Sequence, residues 1–190
     1  FPPFVSFAAM CLMSFQYRLV PESPIIVAAN REDYYDRPSL APSIQSGKPR
    51  VLCGTDQQAG GSWLGVNQHG LFVAACNRPK LLAPPTPRSR GVLCRDLMRA
   101  GSAATAVDMA LEEIAGGQYD GVNFVIADDE SGWVVHGGDD YEAVELEEGL
   151  SIIANNDVND PRDERVKLAH RLLTLQTLDS PVKFLAVASK

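Results

Sequence analysis

The sequence predicts an α+β domain of mostly antiparallel sheet, with two stacked sheets and helices outside them. Three observations predict it. Apolar runs of strand length crowd both halves of the 190-residue chain. A pair of helical patterns separates the two groups of strands. Several runs are apolar along their whole length, so both faces of those strands need cover.

The elements follow in order. Cys11 to Tyr17 reads as a short strand, cut off by Pro21 and Pro24. Ile25 to Ala29 is rich in β-branched residues and reads as a buried strand. The polar cluster Asn30 to Arg37 follows, stopped by Pro38, and residues 39–50 read as a loop. Val51 to Gly54 is a further strand. Gly60-Gly61 marks a turn. Ser62 to Asn67 and Leu71 to Asn77 are strands joined by the hairpin signal Gln68-His69-Gly70. Pro79 to Pro87 is a proline-rich surface loop, placed to cover a pocket.

Arg90 to Arg99 reads as a helix with Val92, Leu93, Leu97 and Met98 near one face. Gly101-Ser102 supplies a C-cap and then an N-cap. Ala103 to Ala115 carries Ala106, Val107, Ala110, Leu111 and Ile114 at helical spacing and stops at Gly116-Gly117. Strands return at Gly121 to Ala127 and Gly132 to His136, divided by the turn Asp128 to Ser131. Glu142 to Glu147 alternates as a half-exposed strand, and Leu150 to Ala154 is a buried strand ending in Asn155-Asn156-Asp157. A last helix is expected from about Asp163 to Leu175.

With 45% hydrophobic and 22% charged residues, the composition suits one domain with a real core. Residues 1–9 are apolar without a basic leader and read as an upstream extension, a tag or a start before Met10, leaving 10–190 as a single domain. The net charge of −7 argues against nucleic acid as a partner. No apolar run approaches the ~20 residues of a membrane span. The expected partner is a small-molecule ligand or substrate, with the oligomeric state open. Cys11, Cys53, Cys76 and Cys94 form no Cys-x-x-Cys pair, and the last three sit among apolar neighbours as small buried hydrophobes. A reduced, cytoplasmic compartment fits them. His69, His136 and His170 have no metal-ligand spacing, so no cofactor or metal is expected.

Four features carry candidate chemistry. Removal of Met10 would expose Cys11 with an α-amine whose pKa of roughly 7.7–8.0 leaves part of it neutral near pH 7. That amine can take the proton of its own thiol, which puts nucleophile and base on one residue. The alternative is a buried strand cysteine. Asn30-Arg31-Glu32-Asp33 ends a buried strand, where an Arg31–Asp33 pair would offset desolvation and Arg31 would favour a nearby thiolate. The alternative is a solvated strand end. Asn77 and Asn155 end buried strands and suit oxyanion donors, or start turns. Asn123 lies inside a strand and needs a partner. Gly60 to Gly65, Gly-Gly-Ser-Trp-Leu-Gly, is a tight turn and not a phosphate loop, with Trp63 lining a pocket or packing the core. His136, at a strand end beside Gly137-Gly138, is in reach of a pocket.

Cys11, Ala29-Asn30-Arg31, Arg37-Pro38, Gly60 to Gly65, Asn77, Tyr119 to Asn123 and Asn155-Asn156 occur in an order that resembles the NRDE family. The signature here reads Asn-Arg-Glu-Asp, with the two acids exchanged. The resemblance implies a four-layer αββα sandwich of the N-terminal nucleophile hydrolase kind, and likeness to its cysteine branch. It further implies Cys11 as nucleophile toward a non-peptide C–N amide bond, Arg31 and Asp33 as its supporting pair, and Asn77 and Asn155 as oxyanion donors. The branch's later arginine has no assigned match. Family members usually continue further, which leaves room for a strand and a helix beyond residue 190. An alternative follows from the family's link to Golgi organisation: a non-catalytic carrier of haem or another hydrophobic ligand.

Overall fold

The computed structural model describes residues 11–30, 33, 36–175 and 179–189. Among them the chain forms β1 (Leu12–Val20), β2 (Ser23–Asn30), β3 (Ser39–Gln45), β4 (Val51–Asp56), β5 (Leu64–Asn67) and β6 (Phe72–Asn77). Then come α1 (Arg90–Leu97), α2 (Ala103–Ala115), β7 (Val122–Ala127), β8 (Gly132–Gly137), β9 (Tyr141–Glu145), β10 (Gly149–Ile153), α3 (Glu164–Thr174) and α4 (Pro181–Ala188). One sheet has the order β10-β1-β2 and the other runs β3 to β9 in sequence order, every pair antiparallel.

Strand periodicity decides the layers. Along β6, Phe72, Ala74 and Cys76 face the smaller sheet, where they meet Met13, Phe15 and Ile153. Val73, on the opposite face, packs with Leu93, Leu97, Ala106 and Ala110 of α1 and α2. β7 divides in the same way, with Val125 and Ala127 inward and Phe124 and Ile126 toward the helices. A third apolar layer lies beyond the smaller sheet, where Ile26 and Ile152 meet Val166, Leu173 and Phe184 of α3 and α4. The order helix, sheet, sheet, helix is the expected αββα sandwich, and it explains why β6 and β7 lack an apolar–polar alternation.

Capping follows the local signals. Ser102 accepts from Thr105 N at the start of α2, and Asp163 accepts from Arg165 N at the start of α3. Buried Asp128 holds its own turn through Glu130 N and Ser131 N, and its other oxygen takes Ala103 N of α2 at 2.6 Å.

Four expectations need correction. Residues 39–45 are not loop but the exposed edge strand β3, which tolerates Pro42 because an edge leaves some backbone donors unpaired. Its register with β4 shifts between Leu40 and Ser43. The strand at Ser62 begins only at Leu64, since Ser62 and Trp63 remain in the turn. Helix α1 ends at Leu97 with Met98 as its right-handed C-cap, so Gly101 caps nothing. Helix α4 follows α3, with Pro181 in its first turn and Phe184 buried. No helix among the described residues is long and apolar enough to cross a membrane.

Candidate active site at one end of the sandwich

Register brings the candidate residues together. Leu12 pairs with Asn30 of β2, and Met13 pairs with Ile153 of β10. Cys11, one residue before β1, therefore sits where β2 and β10 both leave the small sheet. In the large sheet, Asn77 ends β6 opposite Val122, which opens β7. The two ends meet: Asn155 Nδ2 donates to the Asn77 carbonyl oxygen at 2.9 Å.

Half-buried Cys11 opens into a small cleft with Met13, Asn30, Trp63, Leu64 and Cys76 among its walls. The Gly60 to Gly65 turn builds one wall through close approach. Gly60 takes a positive φ of 72°. A Cβ on Gly61 would stand 2.2 Å from the carbonyl carbon of Gly91, and Ser62 N donates to Gly91 O at 2.8 Å. Trp63 is then tied to β6 by Ala75 N to Trp63 O at 2.8 Å, with its ring over Gly54, where any Cβ would clash. Trp63 thus both lines the cleft and packs.

The same approach carries the start of α1 to the site. Arg90 Nη1 donates to Gly121 O at 2.6 Å and lies 4.0 Å from Asp120. Burial depresses the Arg90 guanidinium below its usual range, while the negative charges of Asp120, an ionised Cys11 and Asp33 act the other way. The Cys76 thiol is raised by its hydrogen bond with Cys11 and by burial.

The supporting residues stand as follows. Asp33 pairs with Arg37 at 3.4 Å, and Arg37 also holds Asp56 at 2.5 Å. The hydrogen bond from Arg37 keeps the Asp56 carboxyl below its ordinary range. Arg31, its expected pairing with Asp33 and its place beside Cys11 lie outside the described residues. Asn155 is oriented at both ends: its oxygen accepts from Arg165 Nη2 at 3.1 Å, and Arg165 is held by Asp163 at 2.6 Å. Asn77 and Asn155 are therefore brought to the site, joined by a bond from the Asn155 amide to the Asn77 backbone. His136 does not line the cleft's described wall but is buried beside Asn123.

Sequence reasoning did not single out Cys76, Arg78, Arg90 or Arg165 for the site. Cys76 looked like any buried strand cysteine. Arg78 directly follows Asn77 and reaches Asn123 and Asp157, and Arg90 sits at a helix start, but neither position is a signal until those partners are known.

A family model described as Transport and Golgi organisation 2 matches residues 10–180. The Transport and Golgi organization 2 homolog of Mus musculus is 30% identical over 128 residues, covering 63% of this chain. The Homo sapiens homolog is 30% identical over 130 residues with the same coverage. The chain spans 45% of the length of these curated relatives. Among solved structures, a Caenorhabditis elegans ortholog of N-acylethanolamine-hydrolyzing acid amidase superposes with a TM-score of 0.69 at 14% identity, covering 95% of this chain and 86% of that one. A mutant of the conjugated bile acid hydrolase from Clostridium perfringens gives 0.50 at 12% identity, covering 85% and 57%. These likenesses show an N-terminal nucleophile hydrolase fold.

Proposed function

Because the chain belongs to the Transport and Golgi organisation 2 family and folds as an N-terminal nucleophile hydrolase, we propose that it is a cysteine hydrolase of a non-peptide C–N amide bond. The observation that carries this reading is the Cys11 thiol, half-buried in a cleft where the ends of both sheets meet. On this reading, removal of Met10 and of anything before it leaves Cys11 with a free α-amine. The amine takes the thiol proton, and the sulfur attacks the acyl carbon. The C–N bond breaks as the proton passes to the leaving nitrogen. Water then releases the acyl group from the thioester as a carboxylic acid. Arg31 and Asp33 support the thiolate and the amine, and the Asn77 and Asn155 amides take the oxyanion. The apolar walls formed by Met13, Trp63 and Leu64 favour a hydrophobic acyl group. We place this activity in the cytoplasm, where buried thiols such as Cys53 and Cys94 stay reduced.

Two measurements test it. Mass spectrometry of the native protein should find an N-terminus at Cys11, and retention of Met10 or of residues 1–9 would remove the base. Turnover of an acylamide panel that includes an N-acylethanolamine should fall about 10³-fold or more in Cys11→Ala. Unchanged turnover would end the hydrolase reading.

The same apolar walls favour a second reading, a carrier of haem or another hydrophobic ligand. Haem titration distinguishes it: a Soret shift at micromolar protein supports carriage, and its absence counts against it.

A further inference from the structure

The cleft holds a second sulfur. Cys76 is the inward-facing residue before the last position of β6, 3% exposed, and packs in the layer between the sheets with Met13 and Phe15. Cys11 packs against that layer from the start of β1, and both cysteines line the cleft. The two thiols share this one cleft, and each bears on the charge of the other.

Surroundings give a bond between the two thiols a direction. Cys76 lies among carbon atoms that cannot solvate a thiolate, so burial and the bond to Cys11 both hold its proton in place. Cys11 is half-buried, and the charge of Arg90 attracts its ionised form. In a hydrogen bond between them the S–H of Cys76 is the donor and the sulfur of Cys11 the acceptor. A thiol is a weak donor in water, but it gains importance against an apolar wall built of Leu12, Met13 and Leu64.

We infer that Cys76 is a positioning residue for Cys11: its thiol donates a hydrogen bond that holds the Cys11 sulfur ionised and aimed into the cleft. The role rests on the hydrolase reading, since an ionised Cys11 matters most if it is the nucleophile. Among the described residues, the other charged and titratable groups acting on the pair come from α1 and its surroundings. Arg90 acts on Cys11, with Asp120, Arg37 and Asp33 acting on its guanidinium, and Cys94 acts on Cys76 from the helix side of the large sheet.

The test is the pH dependence of Cys11 alkylation by iodoacetamide, read by peptide mass spectrometry on the full chain. Cys76→Ala should raise the alkylation midpoint by about half a unit to one unit, slowing reaction below the midpoint about three- to tenfold. Cys76→Ser restores a donor and should keep the midpoint at or below the wild-type value. Circular dichroism checks each variant, and Cys76→Val replaces Cys76→Ala with the same expected shift if the alanine variant does not fold. An unchanged midpoint without the donor, or a serine variant that shifts like alanine, overturns the inference. Alkylation reads ionisation without turnover. Loss of the Cys76 effect with turnover still dependent on Cys11 therefore sinks this inference alone. Turnover indifferent to Cys11→Ala sinks the hydrolase reading alone.

Discussion

Asn123 ties several elements together at this end of the sandwich. Its Nδ2 donates to Ala154 O at 3.0 Å and Asn156 O at 2.8 Å. Its Oδ1 must then be an acceptor, and it meets Arg78 Nη1 at 3.3 Å and His136 Nδ1 at 2.8 Å. That assignment makes His136 the Nδ1–H tautomer and leaves its buried Nε2 without a hydrogen bond. Arg78 completes the link with Asp157 at 2.6 Å. The network ties β7 and β8 to the turn after β10, which carries Asn155. Asn123→Leu should therefore cost about 3 kcal/mol, because it leaves several buried polar groups unsatisfied. Urea denaturation measures it.

The same network predicts a pH dependence. Burial depresses His136 below its ordinary 6.5, and Arg78 adds to the depression, while Asp157 and Glu142 oppose it. The unfolded chain then binds a proton at a pH where the native protein does not. Stability is fully present above 6.5 and is lost as pH falls from there through the lower folded value. Urea midpoints measured from about pH 7.5 down to about pH 5 should fall, and His136→Gln should flatten that slope. An identical slope in the variant would place the acid sensitivity elsewhere.

At the scale of elements, two glycines in turns should behave differently on substitution. Gly61 has Gly91 against it, so a methyl group would push α1 away from the turn that presents Trp63. Gly61→Ala should cost about 3 kcal/mol and change the tryptophan fluorescence of the native state. Gly70 has an open neighbourhood and a φ of 86°, so Gly70→Ala should cost only about 1 kcal/mol of backbone strain. Thermal denaturation ranks the two, and equal losses would refute the close approach as the cause. The double-glycine turn was legible in the sequence as a turn. Its packing against α1 was not, because Gly91 looks like an ordinary residue of a helical pattern.

At the scale of the molecule, α4 closes the fourth layer over β2. Phe184 is fully buried there and packs with Ile26, Val166 and Leu173. Phe184→Ala should cost about 3–5 kcal/mol and release α4 to limited proteolysis before the sheets unfold. Proteolysis at the wild-type rate would mean that α4 docks by other contacts.

By itself the sequence determined the order of most elements, the span of α2, its cap at Ser102, and the need to cover both faces of β6 and β7. These are short-range properties, readable from periodicity and capping chemistry. Together, Cys11, Asn77 and Asn155 were also legible as polar or nucleophilic residues at strand ends. Only the tertiary structure decided what they touch. Exposed β3 has no buried face to leave a pattern, and it exists because β4 offers it a partner. The eight-residue α4 is too short and too evenly apolar to announce an amphipathic face. The bond from Asn155 to Asn77 spans 78 positions, and Cys11 meets Cys76 across two different sheets. Side-chain period specifies which face of a strand is buried. It carries no record of which distant strand will lie against that face, and the candidate site is made of such pairings.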